Sequence, residues 1–214
     1  MNFFENHYLF SETYIKEYIT TQKKTAEQSI GSLYTIVKDW HDDEGSASNW
    51  LTNYILPVMD TVGFKHTGAT ENTVALYTDS PATSEPVAVL YVIDKGLDLN
   101  SKRKGKYYAY KAVSAAKEHG ADWAMLTNGY RWQIYQVKNV CPFENYLEVD
   151  IEDSIKNSQS PDEAFLLFQL FFSAKTYYRE ESGELTIEKL KGKSDAKAEQ
   201  VAVQTLNIGV IVYS

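Results

Sequence analysis

Between Lys95 and Lys117 the chain gathers Lys95, Lys102, Arg103, Lys104, Lys106, Lys111 and Lys117 against a single acid, Asp98, with Tyr107, Tyr108 and Tyr110 interleaved. Cations at this density suit phosphate contact, in which each neutralised phosphate releases counterions and makes binding salt-dependent. They also suit an exposed lysine-rich helix face, which is a common arrangement. The run stands out because the 214-residue chain is acidic as a whole: 21 Lys and Arg against 29 Asp and Glu leave a net charge of -8. The molecule therefore has no general attraction for nucleic acid or anionic membrane, and any such binding falls to this local patch.

Other chemistry is thinly provided for. The one cysteine, Cys141, excludes an internal disulfide and a multi-thiolate zinc site. His7, His41, His66 and His119 are scattered, and no metal site is expected from them. The run His41-Asp42-Asp43-Glu44 has the right ligand types, but consecutive residues do not converge easily on one ion; it reads as a solvated helix end. The acidic stretch 144–163 reads as surface.

The elements that must carry the basic run follow from periodicity. Residues 12–40 show apolar side chains at three- and four-residue spacing (Tyr14, Ile15, Tyr18, Ile19, then Ile30, Leu33, Tyr34, Val37), which predicts helix with a weak point at Gly31. A second helix is expected from a cap at Ser46 or Ser48 to Val62, irregular at Pro57 and closed by Gly63. The period then falls to two. Residues 73–79 and 86–94 read as strands, the second apolar on both faces and so central in a sheet covered on both sides. A third helix is expected over 104–119, ended by Gly120. Strands follow at 122–127 and 131–137, joined at Asn128-Gly129, the pair that favours a type I′ hairpin turn. A further strand fits 146–151, and a strongly apolar helix fits 162–175 after Pro161. The apolar end, 206–213, reads as an edge strand or as the start of something longer.

This order of helix, strands, helix, strand and hairpin describes an α/β protein with a mixed sheet flanked by helices. The expected division is an N-terminal helical extension (1–45), an α/β domain (46–175) and a charged C-terminal segment (176–214). Composition agrees with one folded unit, being 43% hydrophobic and 14% aromatic. The longest apolar stretches, 87–93 and 164–172, are too short to span a bilayer. The N-terminus lacks the basic and apolar regions of a secretory signal, so a cytoplasmic protein is expected.

One string is recognisable. Trp123-Ala124-Met125-Leu126-Thr127-Asn128-Gly129-Tyr130-Arg131-Trp132-Gln133-Ile134-Tyr135 resembles the W-x-x-L-T-N-G-x-x-W-x-x-Y stretch of the N-terminal nuclease domain shared by type I restriction subunits and type IIG restriction-modification enzymes. The run from Ile55 to Phe64 resembles the helix that precedes that nuclease core, and the run from Leu9 to Tyr14 resembles the opening of type IIG chains. The resemblance spans roughly residues 9–172. It implies a restriction-endonuclease-like fold of the PD-(D/E)xK class, whose acids hold Mg²⁺ while a lysine positions or activates the attacking water. It also implies double-stranded DNA as a partner, and a methyltransferase or helicase domain or subunit alongside.

Laid on this chain, the catalytic pattern is incomplete. The family's Pro-Asp falls on Asn72-Thr73, its acid-x-Lys on Ile93-Asp94-Lys95, and its following helix presents Lys111 where a glutamine is usual. Only Lys95 survives. Asp94 faces away from Lys95 if both lie on one strand, because side chains alternate. Glu71 stands as a possible migrated ligand, and Asp79 lies ~20 Å along the strand. The expected function is therefore a catalytically degenerate nuclease-like domain of a defence protein, touching DNA through Lys102, Arg103, Lys104, Lys106 and Lys111. The alternatives are a protein-interaction or regulatory domain on the same fold, and an active endonuclease using migrated acids, with Mg²⁺ as its cofactor.

Overall fold

The computed structural model describes residues 3–23, 27–42, 50–68, 70, 72–139, 141–157 and 162–212. Strand β1 (Phe4–His7) opens the chain, followed by helices α1 (Glu12–Gln22) and α2 (Glu27–Asp42). A π-helical turn, Leu51–Ile55, leads into α3 (Leu56–Thr61). Strands β2 (Lys65–Thr67), β3 (Thr73–Tyr77) and β4 (Ala88–Val92) come next, then the short strands β5 (Lys102–Arg103) and β6 (Lys106–Tyr107). Helix α4 (Tyr108–Glu118), strands β7 (Trp123–Thr127), β8 (Arg131–Gln136) and β9 (Tyr146–Asp150), and helices α5 (Glu152–Asn157), α6 (Glu163–Phe172) and α7 (Thr186–Val212) complete it.

Seven strands form one mixed sheet in the order β1-β9-β8-β7-β4-β3-β2. Every pairing is antiparallel except β4 with β7, which run parallel because α4 carries the chain across. Strand β4 is interior, as its two apolar faces require. Alternation sorts the side chains: Val74, Leu90, Met125, Trp132 and Val149 pack under α2, α3 and α6, while Val89, Ile93, Ala124, Leu126 and Tyr135 pack under α4. Among the described residues no helix is long and apolar enough to cross a membrane.

Several expectations are corrected. The interruption between the first two helices falls after Gln22, and α2 runs through Gly31 unbroken. Pro57 does disturb its helix: with no N–H of its own it is preceded by a π turn, in which Leu56 N–H bonds to Leu51 O. The expected caps Ser46 and Ser48, and Pro161, lie outside the described residues. The helix expected from 104 starts only at Tyr108, because Lys104 (φ 54°) and Gly105 (φ 78°) reverse the chain and pair β5 with β6. In the apolar end, residues 206–212 are not a strand; they continue α7, whose preceding turns already pay the nucleation entropy. From the stretches expected as an N-terminal extension and a C-terminal segment, β1 is a strand of the sheet, and Ile15, Leu33, Leu185 and Ile187 share one core with Leu90.

The hairpin β7–β8 differs in kind from the type I′ turn expected. Thr127 pairs with Trp132, and three residues, 128–130, separate the end of β7 from the start of β8. Gly129 has φ +89°, but Asn128 does not have the positive φ that a type I′ turn needs. The asparagine works through its side chain: Oδ1 accepts from Tyr130 N (3.2 Å) and Arg131 N (2.9 Å), and Nδ2 donates to Leu97 O (2.8 Å). Gly129 is further constrained by close approach, because a Cβ there would overlap the Trp50 ring. Trp132 is fully buried against Phe168 and Phe172, with its indole N–H donating to Gly129 O (3.2 Å).

Candidate nucleic-acid interface

The antiparallel pair β3–β4 brings Thr73 beside Tyr91 on the face covered by α4. These two residues floor a cleft of about 640 Å³, walled by Lys106 from the ribbon β5–β6 and by Tyr110, Lys111, Ser114 and Glu118 from α4. Lys102, Arg103 and Lys104 are exposed on the same ribbon. Among the described residues none of Lys102, Arg103, Lys104, Lys106 and Lys111 forms an ion pair. They do feel one another. Partial desolvation, and then the charges of Arg103, Lys104 and Lys106, lower the pKa of Lys111. A cluster of cations whose members destabilise each other's charge is relieved by an anion.

Lys95 lies elsewhere. Ile93 N still bonds to Thr127 O (2.9 Å), but β4 has ended at Val92 and the chain turns over 94–97, closed by Leu97 N to Asp94 O (3.1 Å) with Gly96 at φ +86°. Asp94 and Lys95 are both exposed on this turn, so strand alternation does not decide their relation. The Lys95 ammonium sits 5.5 Å from the centre of the Tyr130 ring, and the Tyr130 hydroxyl lies 3.3 Å from His41 Nδ1 on α2. Lys95 does not line the cleft. The structure thus brings Lys106 and Lys111 together and leaves Lys95 against the hairpin.

Thr73 and Ile93, where the resemblance puts metal-holding acids, carry no carboxylate. Asn72 is tied into the sheet, with Nδ2 donating to Val92 O (2.8 Å); Thr73 and Tyr91 are neutral, and Ile93 is buried. Among the described residues Glu118 is the one carboxylate lining the cleft. Glu71 lies outside the described residues. Among the described residues no three His, Cys, Asp or Glu side chains gather as metal ligands would. The described residues thus offer Mg²⁺, which takes one or two carboxylates together with substrate phosphate, a single carboxylate in the cleft and no cluster of ligands.

A second polar group on this face went unseen in the sequence. Arg131 reaches Glu148 (3.0 Å), Asp150 (3.3 Å) and Asp98 (4.0 Å). Gln133 Nε2 donates to Glu148 (2.5 Å) and to Asn100 Oδ1 (3.1 Å), and Tyr135 OH donates to Gln133 Oε1. Burial pushes the Glu148 carboxyl up to about 7, against the pull of Arg131 and the Gln133 hydrogen bond. Burial also opposes the Arg131 charge, but Glu148, Asp150, Glu5 and Asp98 outweigh it and raise the Arg131 pKa. The signal was the alternation of Arg131, Gln133 and Tyr135 along β8; their partners on β9 become visible only once the strands pair.

Comparison with protein-family models, with curated proteins and with solved structures gives no match to this chain.

Proposed function

We propose that this chain is the nuclease-like domain of a restriction-modification or related defence protein, catalytically degenerate and contacting double-stranded DNA through its basic ribbon. The observation that carries the reading is the cleft at the β3–β4 strand end. It is flanked by Lys106 and Lys111, which form no ion pair among the described residues, while Thr73 and Ile93 stand where the resemblance puts metal-holding acids. The succession of antiparallel β3–β4, crossover helix α4 and parallel β7 supports assigning the sheet to the restriction-endonuclease-like class. Phosphates fit here because the ribbon offers positive charge without internal neutralisation, on a molecule whose net charge is -8.

The test is a salt titration of duplex binding by fluorescence anisotropy. Neutralising Lys102, Arg103, Lys104 and Lys106 together to glutamine is expected to reduce the slope of log K against log salt by about 3–4, since each phosphate contact contributes about 0.9. An unchanged slope, or no binding by the parent chain, would favour a protein partner for this fold instead. Cleavage of supercoiled DNA in Mg²⁺ or Mn²⁺, abolished by Lys95→Ala, would refute the degenerate part of the reading.

A further inference from the structure

Beside the basic cleft lies a second, smaller cavity of about 320 Å³, lined by Leu99, Asn100, Tyr107, Ala109, Phe143 and Tyr146. Its character differs. Tyr107 and Phe143 are stacked in one wall, with ring centres 5.3 Å apart and planes 17° apart. Tyr110, which lines the basic cleft, meets Phe143 at a tilt, with ring centres 5.8 Å apart. Both Tyr107 and Phe143 are half-buried and both line the cavity. Cation and aromatic meet at the rim, where the Lys102 ammonium lies 4.5 Å over the Tyr107 ring. At the wall, Asn100 is held by the hydrogen bond from Gln133 and offers a carboxamide edge.

We infer that this cavity takes one unpaired nucleobase, stacked on the Tyr107–Phe143 wall, while Lys102, Arg103 and Lys106 hold the phosphates of the same strand. The inference rests on the polyanion-binding reading of the ribbon but goes beyond it. A base inside a duplex has no free face to give such a wall, so the cavity discriminates single strands or extruded nucleotides from intact duplex. Charge supplies the attraction common to both forms, and the rings supply what only an unpaired base can use. The volume lies near the lower end of small-ligand sites, which suits a single ring system and not a larger ligand.

The experiment compares a fluorescein-labelled single-stranded oligonucleotide of about a dozen residues with a duplex of the same length, a span matched to one binding surface. Phe143→Leu, which keeps an apolar side chain and removes the ring, is expected to weaken single-strand binding about tenfold and to leave duplex binding unchanged. Phe143→Trp is expected to retain parent affinity, which separates stacking from a merely structural role. If Phe143→Leu leaves single-strand affinity unchanged while the ribbon variant still weakens duplex binding, the cavity assignment fails and the ribbon reading stands. If single-strand binding depends on Phe143 but no duplex binds, the cavity assignment stands without the duplex reading. Binding of neither form overturns both.

Discussion

Replacing Arg131 with methionine is expected to cost about 3–5 kcal/mol of stability when measured near pH 8, and much less near pH 5. Glu148 is 1% exposed; one of its oxygens pairs with the Arg131 guanidinium at 3.0 Å and the other takes a hydrogen bond from Gln133. Burial raises this carboxyl from its ordinary 4.5 to about 7. A raised acid binds its proton more tightly in the folded chain, so the stability it contributes is full below 4.5 and is lost as pH rises through about 7. Removing Arg131 moves the folded value further upward and lengthens that window. In mild alkali the variant must then bury a lone charge or hold a proton against solvent, at about 1.4 kcal/mol for each pH unit. In mild acid the carboxyl is protonated and needs no counterion. Asp150 and Asp98 are 29% and 61% exposed and stay solvated, so their lost contacts add little. Urea unfolding of parent and variant at the two pH values makes the measurement, with Glu148→Gln as the reference that removes the titration. An equal loss at both pH values would mean that Arg131 acts through packing, and the charge account would be wrong.

The residues that build this network explain how far the sequence could be read. Strands β3, β4, β7, β8 and β9 were legible because burial of one sheet face imposes a two-residue period on a strand's own side chains, and burial of both a continuous apolar run. Strand β1, Phe4-Glu5-Asn6-His7, carries no such pattern, since it lies at the edge and is held by its pairing with β9. The ribbon β5–β6 was hidden by the lysines themselves, which suit a helix face as well as a two-residue strand until Lys104 and Gly105 fix the turn. In the candidate interface the cations were legible as composition, and their relation to Tyr91 and Thr73 was not. The register of β3 on β4 makes that relation, and no local signal encodes it. Phe143 was illegible for the same reason. It sits in a short 3₁₀ turn (Pro142–Glu144) and reaches Tyr107 only through tertiary packing.

Asn128 is where a correct local signal had the wrong local cause, and it gives the second large effect. Asn128→Ala is expected to destabilise by about 2–4 kcal/mol, because it strips partners from the Tyr130 and Arg131 amides and the Leu97 carbonyl together. Asn128→Asp separates the two jobs. It keeps the oxygen that accepts from both hairpin amides and sets a carboxylate against Leu97 O where a donor stood. The hairpin should then persist, supported by Thr127 Oγ1, which donates to Arg131 O (2.9 Å) and accepts from Gly129 N (2.7 Å). The turn 94–97 should loosen, and with it the seat of Lys95 on Tyr130. Amide exchange reads this directly: the Leu97 N–H, bonded to Asp94 O, loses protection in Asn128→Asp while the β7–β8 amides keep theirs. Unchanged protection at Leu97 would show that the turn holds itself. Loss throughout the hairpin would show that the carboxylate is not tolerated as its acceptor. With the expected result, the Thr-Asn-Gly string acts as a strut joining two loops at one end of the sheet, which accounts for these residue types without assigning them any part in chemistry.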